Sequence, residues 1–428
     1  MSIRKIAIVG AGPVGLELAL RARHEGHEVA VFEAATVGEH FRRYGSVRLF
    51  TPFHMNSTEL GRERLRAAGV KVPGAEEILT AAELRDRYLL PLSRLSELSG
   101  TIIEGARVSG IAREGFTKSR STGGAGGEGA AGSSRASRPF LLRVKERGVP
   151  ARLERAEVVI DASGLYETPN ATGPSGLPAS GEETLGDRLE RHLPDLAGEA
   201  RARYAGKHIL LIGDGRSAAN AIADLDDIVR SGGEGARTRL TWIHRERGSR
   251  HFAPVPAAEL ELLPVLRELD QRVTKIASEA PWIERRPGSS VASYAVLPSG
   301  AVEVVLFKPR GGESRIEVDR VLALVGYRPD LWLFRELQIH VCYASEGPMA
   351  LAAAILAADA KDPGGARGCL EQVPHGPDTL KHPEPDFYVL GAKSYGRNPN
   401  FILPLGHQQI EDVMTLLGAA APRLNVAS

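Results

Sequence analysis

The sequence predicts two α/β units, each a parallel sheet layered against helices, and three observations carry that reading. A glycine-rich turn set between an apolar strand and a helix occurs twice, at Gly10-Ala-Gly12-Pro13-Val-Gly15 and at Gly213-Asp-Gly215-Arg-Ser217-Ala218. Each copy is followed by hairpin-like strands and then a nearly parallel closing run, the mark of an internal repeat. The length, 428 residues, exceeds the roughly 250–300 that one hydrophobic core organises.

The first copy begins with the apolar run from Ile6 to Gly10 and continues into Leu16-Glu-Leu-Ala-Leu-Arg-Ala-Arg-His, which has helical periodicity. In such a strand, turn and helix, the first glycine permits the turn and the second lets the backbone approach a pyrophosphate. The third lets helix and strand pack closely, with the helix N-terminus meeting the phosphates. Gly26-His27 ends the helix and Glu28 to Glu33 reads as the second strand. Glu33 at its end is placed to accept a hydrogen bond from a ribose hydroxyl, so an adenine dinucleotide is expected on Gly10, Gly12, Pro13, Gly15 and Glu33.

The second copy runs from Ile209 to Gly213, turns through Gly215, Ser217 and Ala218, and enters a helix. Thr238 to His244 is its matching second strand. No acid ends that strand. His244, Arg245 and Arg247 stand there instead, with Arg250 beyond, and cations suit a 2′-phosphate where a carboxylate would repel it. NADPH is therefore favoured over NADH. The closing runs are Ala156 to Gly164 after the first copy and Arg320 to Gly326 after the second. Between Thr117 and Arg138 lies a Gly, Ala and Ser-rich stretch with almost no apolar bulk, read as a disordered loop between strands.

The bulk numbers exclude several classes. A formal net charge of +1 gives no basic field to draw nucleic acid or anionic lipid. No stretch of about 18 apolar residues suggests a membrane span, and the first residues leave no room for a signal peptide, so a cytoplasmic location is expected. The two cysteines, Cys342 and Cys369, lack Cys-x-x-Cys spacing, and no His, Cys and carboxylate cluster has metal-ligand spacing. A small-molecule substrate is the expected partner, with homodimerisation left open.

These residues resemble the two-dinucleotide-binding flavoproteins, the superfamily of flavin-containing monooxygenases, N-hydroxylating monooxygenases and thioredoxin reductases. The elements that carry the resemblance are Gly10 to Gly15 with Glu33, the strand ending Asp161-Ala-Ser-Gly164, Gly213 to Ala218, Gly326-Tyr-Arg-Pro-Asp330, and Pro385 to Gly391. The resemblance implies two Rossmann-like, three-layer domains, the NAD(P) domain inserted into the FAD domain. The FAD domain would take residues 1–170 and 323–428, and the NAD(P)H domain residues 200–322. It implies FAD at the first motif, NADPH at the second, and Gly164, Gly326 and Gly391 as further cofactor contacts. The activity implied is an FAD- and NAD(P)H-dependent oxidoreductase, foremost a monooxygenase. A reductase serving an organic acceptor or partner protein and a non-enzymatic sensor module are the alternatives.

Three departures limit the carry-over. The Cys-x-x-Cys of the disulfide reductases is absent. The Phe-x-Gly-x-x-x-His signature of the flavin-containing and Baeyer-Villiger monooxygenases is replaced by Leu185-Gly186 to His192, with longer spacing. The usual Gly-Asp after the last flavin-binding strand is Gly391-Ala392, followed by Lys393. In the resembled folds the helix beginning near His407 faces the edge of the isoalloxazine. His407 and Gln408 are thus expected at the flavin edge, with Lys393, Tyr395, Arg397 and Asn398 lining the substrate side.

Overall fold

A computed structural model describes residues 3–119, 135–244, 252, 255–308, 311–360, 370 and 372–419. The strands in chain order are β1 (Lys5–Val9), β2 (Glu28–Phe32), β3 (Ile102–Ile103), β4 (Ala106–Arg113), β5 (Phe140–Glu146), β6 (Arg152–Ala156), β7 (Val158–Asp161) and β8 (Leu189–Glu190). There follow β9 (His208–Ile212), β10 (Arg239–His244), β11 (Ile283–Pro287), β12 (Ser290–Val296), β13 (Val302–Phe307), β14 (Glu313–Val318), β15 (Arg320–Ala323) and β16 (Phe387–Val389).

They form the same arrangement twice. The first parallel sheet has the order β16-β7-β1-β2-β3 and the second β11-β10-β9-β15-β8, and each is backed by a three-stranded antiparallel sheet, β4-β5-β6 or β12-β13-β14. The apolar runs of β1 and β9 follow from this layering, because a central strand covered on both faces cannot alternate with polar residues. On one face of the first sheet, helix Pro13–His24 packs Leu16, Leu18 and Leu20 with Val413, Met414 and Leu417 of the C-terminal helix Leu403–Ala419. On the other, Ala7, Val9 and Val159 meet Phe140, Leu142 and Val144 of the antiparallel sheet. In the second unit, helices Arg216–Arg230 and Pro264–Glu279 cover one face and the β12 to β14 sheet covers the other.

The closing strand β16 pairs in parallel with β7, Phe387 opposite Val159, so residues after the second unit complete the first sheet. The two connections between the units run side by side. Pro169 and Tyr327 form an antiparallel bridge, Asn170 N–H donates to the Gly326 carbonyl (2.9 Å), and Arg328 N–H donates to that of Thr168 (2.9 Å). Leu189–Glu190 joins the second sheet beside β15.

The stretch read as a disordered loop, Thr117 to Arg138, falls largely outside the described residues, at 120–134. Its C-terminal end is held in place: Arg135 is 1% exposed and donates to Glu384 Oε2 at 2.6 Å, while Arg113 Nε donates to Oε1 at 2.9 Å. Burial alone would raise the Glu384 pKa, but Arg135, the Gln338 N–H and Arg113 together hold it below the usual carboxylate value. A low-bulk sequence does not reveal this, because the partner lies some 250 residues away.

Candidate functional site

Each glycine turn holds its first glycine at positive φ, tight against the backbone that follows a neighbouring strand. Gly10 has φ 101°, and a Cβ there would stand 2.8 Å from the Ala162 carbonyl oxygen. Gly213 has φ 129°, and a Cβ there would strike the Leu324 carbonyl. Gly12 and Gly215, the N-caps of their helices, face open space and carry no side-chain cap. Those helix N-termini are thus available to an anion. Glu33 is fixed from both sides, Ala11 N–H donating to Oε2 (2.8 Å) and Ala35 N–H to Oε1 (2.9 Å). Burial raises its pKa against these two donors.

Both turns open onto one cleft of about 1310 Å³. Of the residues expected to hold cofactors, Gly10, Gly12, Pro13, Glu33, Gly164, Gly213, Gly215, Ser217, His244, Gly326 and Gly391 line it. Gly15 and Ala218 do not; they serve packing, Gly15 because a side chain would collide with the Gly10 carbonyl and Ala218 because it is fully buried. Arg245 and Arg247, with Arg250, lie outside the described residues.

Of the six residues expected to act in chemistry, Arg397 and Asn398 line the cleft and four do not. Lys393 is 1% exposed and spent on a buried ion pair, donating to Asp161 Oδ2 at 2.6 Å and Ser163 Oγ at 3.1 Å. Tyr395 is buried among Leu351, Ile355 and Leu405. Gln408 is exposed and donates to Asp412, whereas its neighbour Gln409 is buried, accepts from the Gly391 N–H (2.8 Å) and donates to Ser394 Oγ (2.8 Å). His407 sits half-buried on the same helix, its pKa pushed down to about 4 by burial.

The sequence reading missed a cluster of rings where the two units meet. Tyr166 stacks on His192 with centroids 4.3 Å apart, and Tyr327, His40 and Tyr44 pack around it at 4.8, 4.9 and 5.6 Å. The Tyr327 hydroxyl lies 3.1 Å from His192 Nδ1. Burial, with the charge of Arg43 adding to it, brings His192 down to about 4, and burial pushes Tyr166 up to about 12. Tyr44, Tyr166, Tyr327 and His40 line the cleft, and His192 stacks behind them on Tyr166. Position gave a partial signal for two of them: Tyr327 follows Gly326, and His192 ends the stretch compared with the monooxygenase signature.

This is the fold of the two-dinucleotide-binding flavoproteins. No protein-family model matches the chain and no curated protein is a sequence match. Among solved structures, it is similar to the bacillithiol disulfide reductase of Bacillus cereus, with 15% identity, 98% of this chain and 99% of that one covered, and a TM-score of 0.66. It is similar to the ornithine N-hydroxylase of Kutzneria sp. 744, solved with reduced FAD, NADP⁺ and L-ornithine, at 15% identity, 97% and 99% coverage, and a TM-score of 0.61. The thioredoxin reductase of Lactococcus lactis matches at 14% identity, 97% and 100% coverage, and 0.57. The first motif's geometry fits the pyrophosphate and ribose of a dinucleotide such as FAD: the Gly10 turn that a Cβ would fill, the open approach at Gly12, and the fixed Glu33 carboxylate. No helix among the described residues is long and apolar enough to cross a membrane.

Proposed function

We propose that the chain is an FAD-dependent oxidoreductase that takes hydride from NADPH, and that it is a monooxygenase acting on a small substrate. The observation that carries the reading is the single cleft onto which both glycine turns open, so two dinucleotides held there would meet inside it. Gly10, Gly12 and the helix at Pro13 would hold the FAD pyrophosphate and Glu33 its ribose. Gly213, Gly215 and Ser217 would hold the nicotinamide dinucleotide. FAD, when bound, supplies hydride acceptance and oxygen chemistry, while the protein supplies orientation and exclusion of water. Tyr44, Tyr166 and Tyr327 shield the junction, and Arg397 and Asn398 offer polar contacts to a substrate at the wall. Monooxygenation is favoured over disulfide reduction because the chain has no Cys-x-x-Cys, and Cys342 does not line the cleft.

The test is spectroscopic. Protein reconstituted with FAD is expected to show flavin bands that bleach when NADPH is added without oxygen. Admitting air should then produce a persistent near-ultraviolet absorbance before the oxidised bands return. Immediate reoxidation, with no oxygen atom from labelled O₂ entering any product, supports a reductase instead. Failure to bind FAD overturns the reading in favour of a module that has lost the reaction.

A further inference from the structure

The two glycine motifs differ at the first residue of their helices. After Gly12 stands Pro13, which offers neither an N–H nor a charge; after Gly215 stands Arg216. Arg216 lines the cleft, with its guanidinium 5.8 Å from the ring of Phe50 on the facing unit and Nη2 3.8 Å from Glu259. Glu259 is 2% exposed and also accepts from the Leu370 N–H at 2.9 Å. Apart from the open helix N-terminus at Gly215, the side chains of this half of the cleft bring mainly negative charge. Asp214, Glu259 and Asp270 all line it, and Arg216 is the only arginine or lysine among the described lining residues of the second unit.

We propose that Arg216 is the pyrophosphate ligand of the second nucleotide site and that Glu259, its carboxylate partner in the cleft wall, competes with the ligand for it. This rests on the reading of the second motif as a nicotinamide dinucleotide site. A diphosphate at Gly215 would bring negative charge toward Asp214 and Glu259. The guanidinium offsets that repulsion and matches phosphate oxygens in a bidentate way. Phe50 supports the charged fork on its face, within the range of a cation–π contact. Because the contact is to the pyrophosphate, it does not distinguish NADPH from NADH.

The test measures dissociation constants of NADPH and NADH for the full chain reconstituted with FAD, by calorimetry, in wild type and in Arg216→Gln, Arg216→Lys, Glu259→Gln and Arg216→Gln/Glu259→Gln. Arg216→Gln should weaken both nucleotides by the same factor, about 10- to 100-fold, as expected for loss of a charge-assisted phosphate contact. Arg216→Lys should fall between it and wild type. Glu259→Gln should tighten binding, and the double variant should recover part of the loss, which a merely structural role for Arg216 would not produce. The proposal is overturned if Arg216→Gln and Arg216→Lys both stay within threefold of wild type, or if only NADPH is weakened, which would place Arg216 at the 2′-phosphate. If wild type binds neither nucleotide while holding FAD, the reading of the second motif falls and the proposal falls with it.

Discussion

In the first glycine motif the carbonyl of Gly10 points at the α-carbon of Gly15, and no side chain fits there. In the second, Trp242 Nε1–H donates to the Gly213 carbonyl at 2.8 Å, and Ala218 occupies the third position with its side chain fully buried. One unit thus obtains close helix-to-strand contact by removing a side chain, and the other by adding an indole that fixes the turn from the neighbouring strand. The ends of the sheets differ too. The first is locked by the Asp161 to Lys393 pair between the end of β7 and the segment after β16, with the Ser163 hydroxyl as a third member. Repeated architecture does not mean repeated stabilisation.

The largest test of this difference is Lys393→Met, which strands the Asp161 carboxylate in the core. Loss of one partner of a buried pair costs about 3–5 kcal/mol, so urea unfolding followed by amide hydrogen exchange in each unit should show the first unit failing well before the second. If both units unfold together near the wild-type midpoint, the pair is not the lock. Next comes Gly15→Ala, which forces backbone apart and should cost roughly 3 kcal/mol as overpacking. The mirror change Ala218→Gly should cost only about 1 kcal/mol, the helix propensity of alanine over glycine. Equal losses in the two would erase the distinction between the motifs. Trp242→Phe leaves the Gly213 carbonyl without its donor, at about 1–3 kcal/mol, and its midpoint shift should be confined to the second unit.

The smallest effect concerns pH. Burial brings the folded-state pKa of His192 down to about 4 from its ordinary 6.5. The unfolded chain therefore takes up the proton first as pH falls, and stability is lost between those two values. His192→Phe keeps a stacked ring and removes the titration. Its stability should fall less steeply across that window, by an amount below the roughly 1.4 kcal/mol per pH unit that one full proton gives. Unchanged slopes would mean that His192 protonates without disturbing the Tyr166 and Tyr327 stack.

Both turns were legible because their chemistry is local: glycine at fixed offsets, an apolar strand before, a helix after. Glu33 was legible for the same reason, standing at the end of a short strand whose length is readable. The C-terminal segment was not. Lys393 reads as a polar residue near a cofactor until Asp161, 232 residues earlier, claims it. Gln408 and Gln409 cannot be told apart by composition, yet one step along a helix turns a side chain by about 100°, enough to carry Gln409 into contact with Gly391 and leave Gln408 in solvent. The ring cluster at His40, Tyr44, Tyr166, His192 and Tyr327 draws on four separate segments of the chain, and no window of sequence contains it.

The parallel pairing of β16 with β7 has a consequence for how the protein is made. On the ribosome, β1, β2 and β7 emerge early, yet their sheet lacks an edge until residues 387–389 appear. All the strands of the second unit are synthesised in the interval, which at about 5–20 residues per second lasts roughly 10–45 s. The nascent first unit spends that time with β7 unpaired along one side, and the second unit has its complete set of strands first. Birth order and residue order are thus inverted: the domain that begins the chain is the last to be finished.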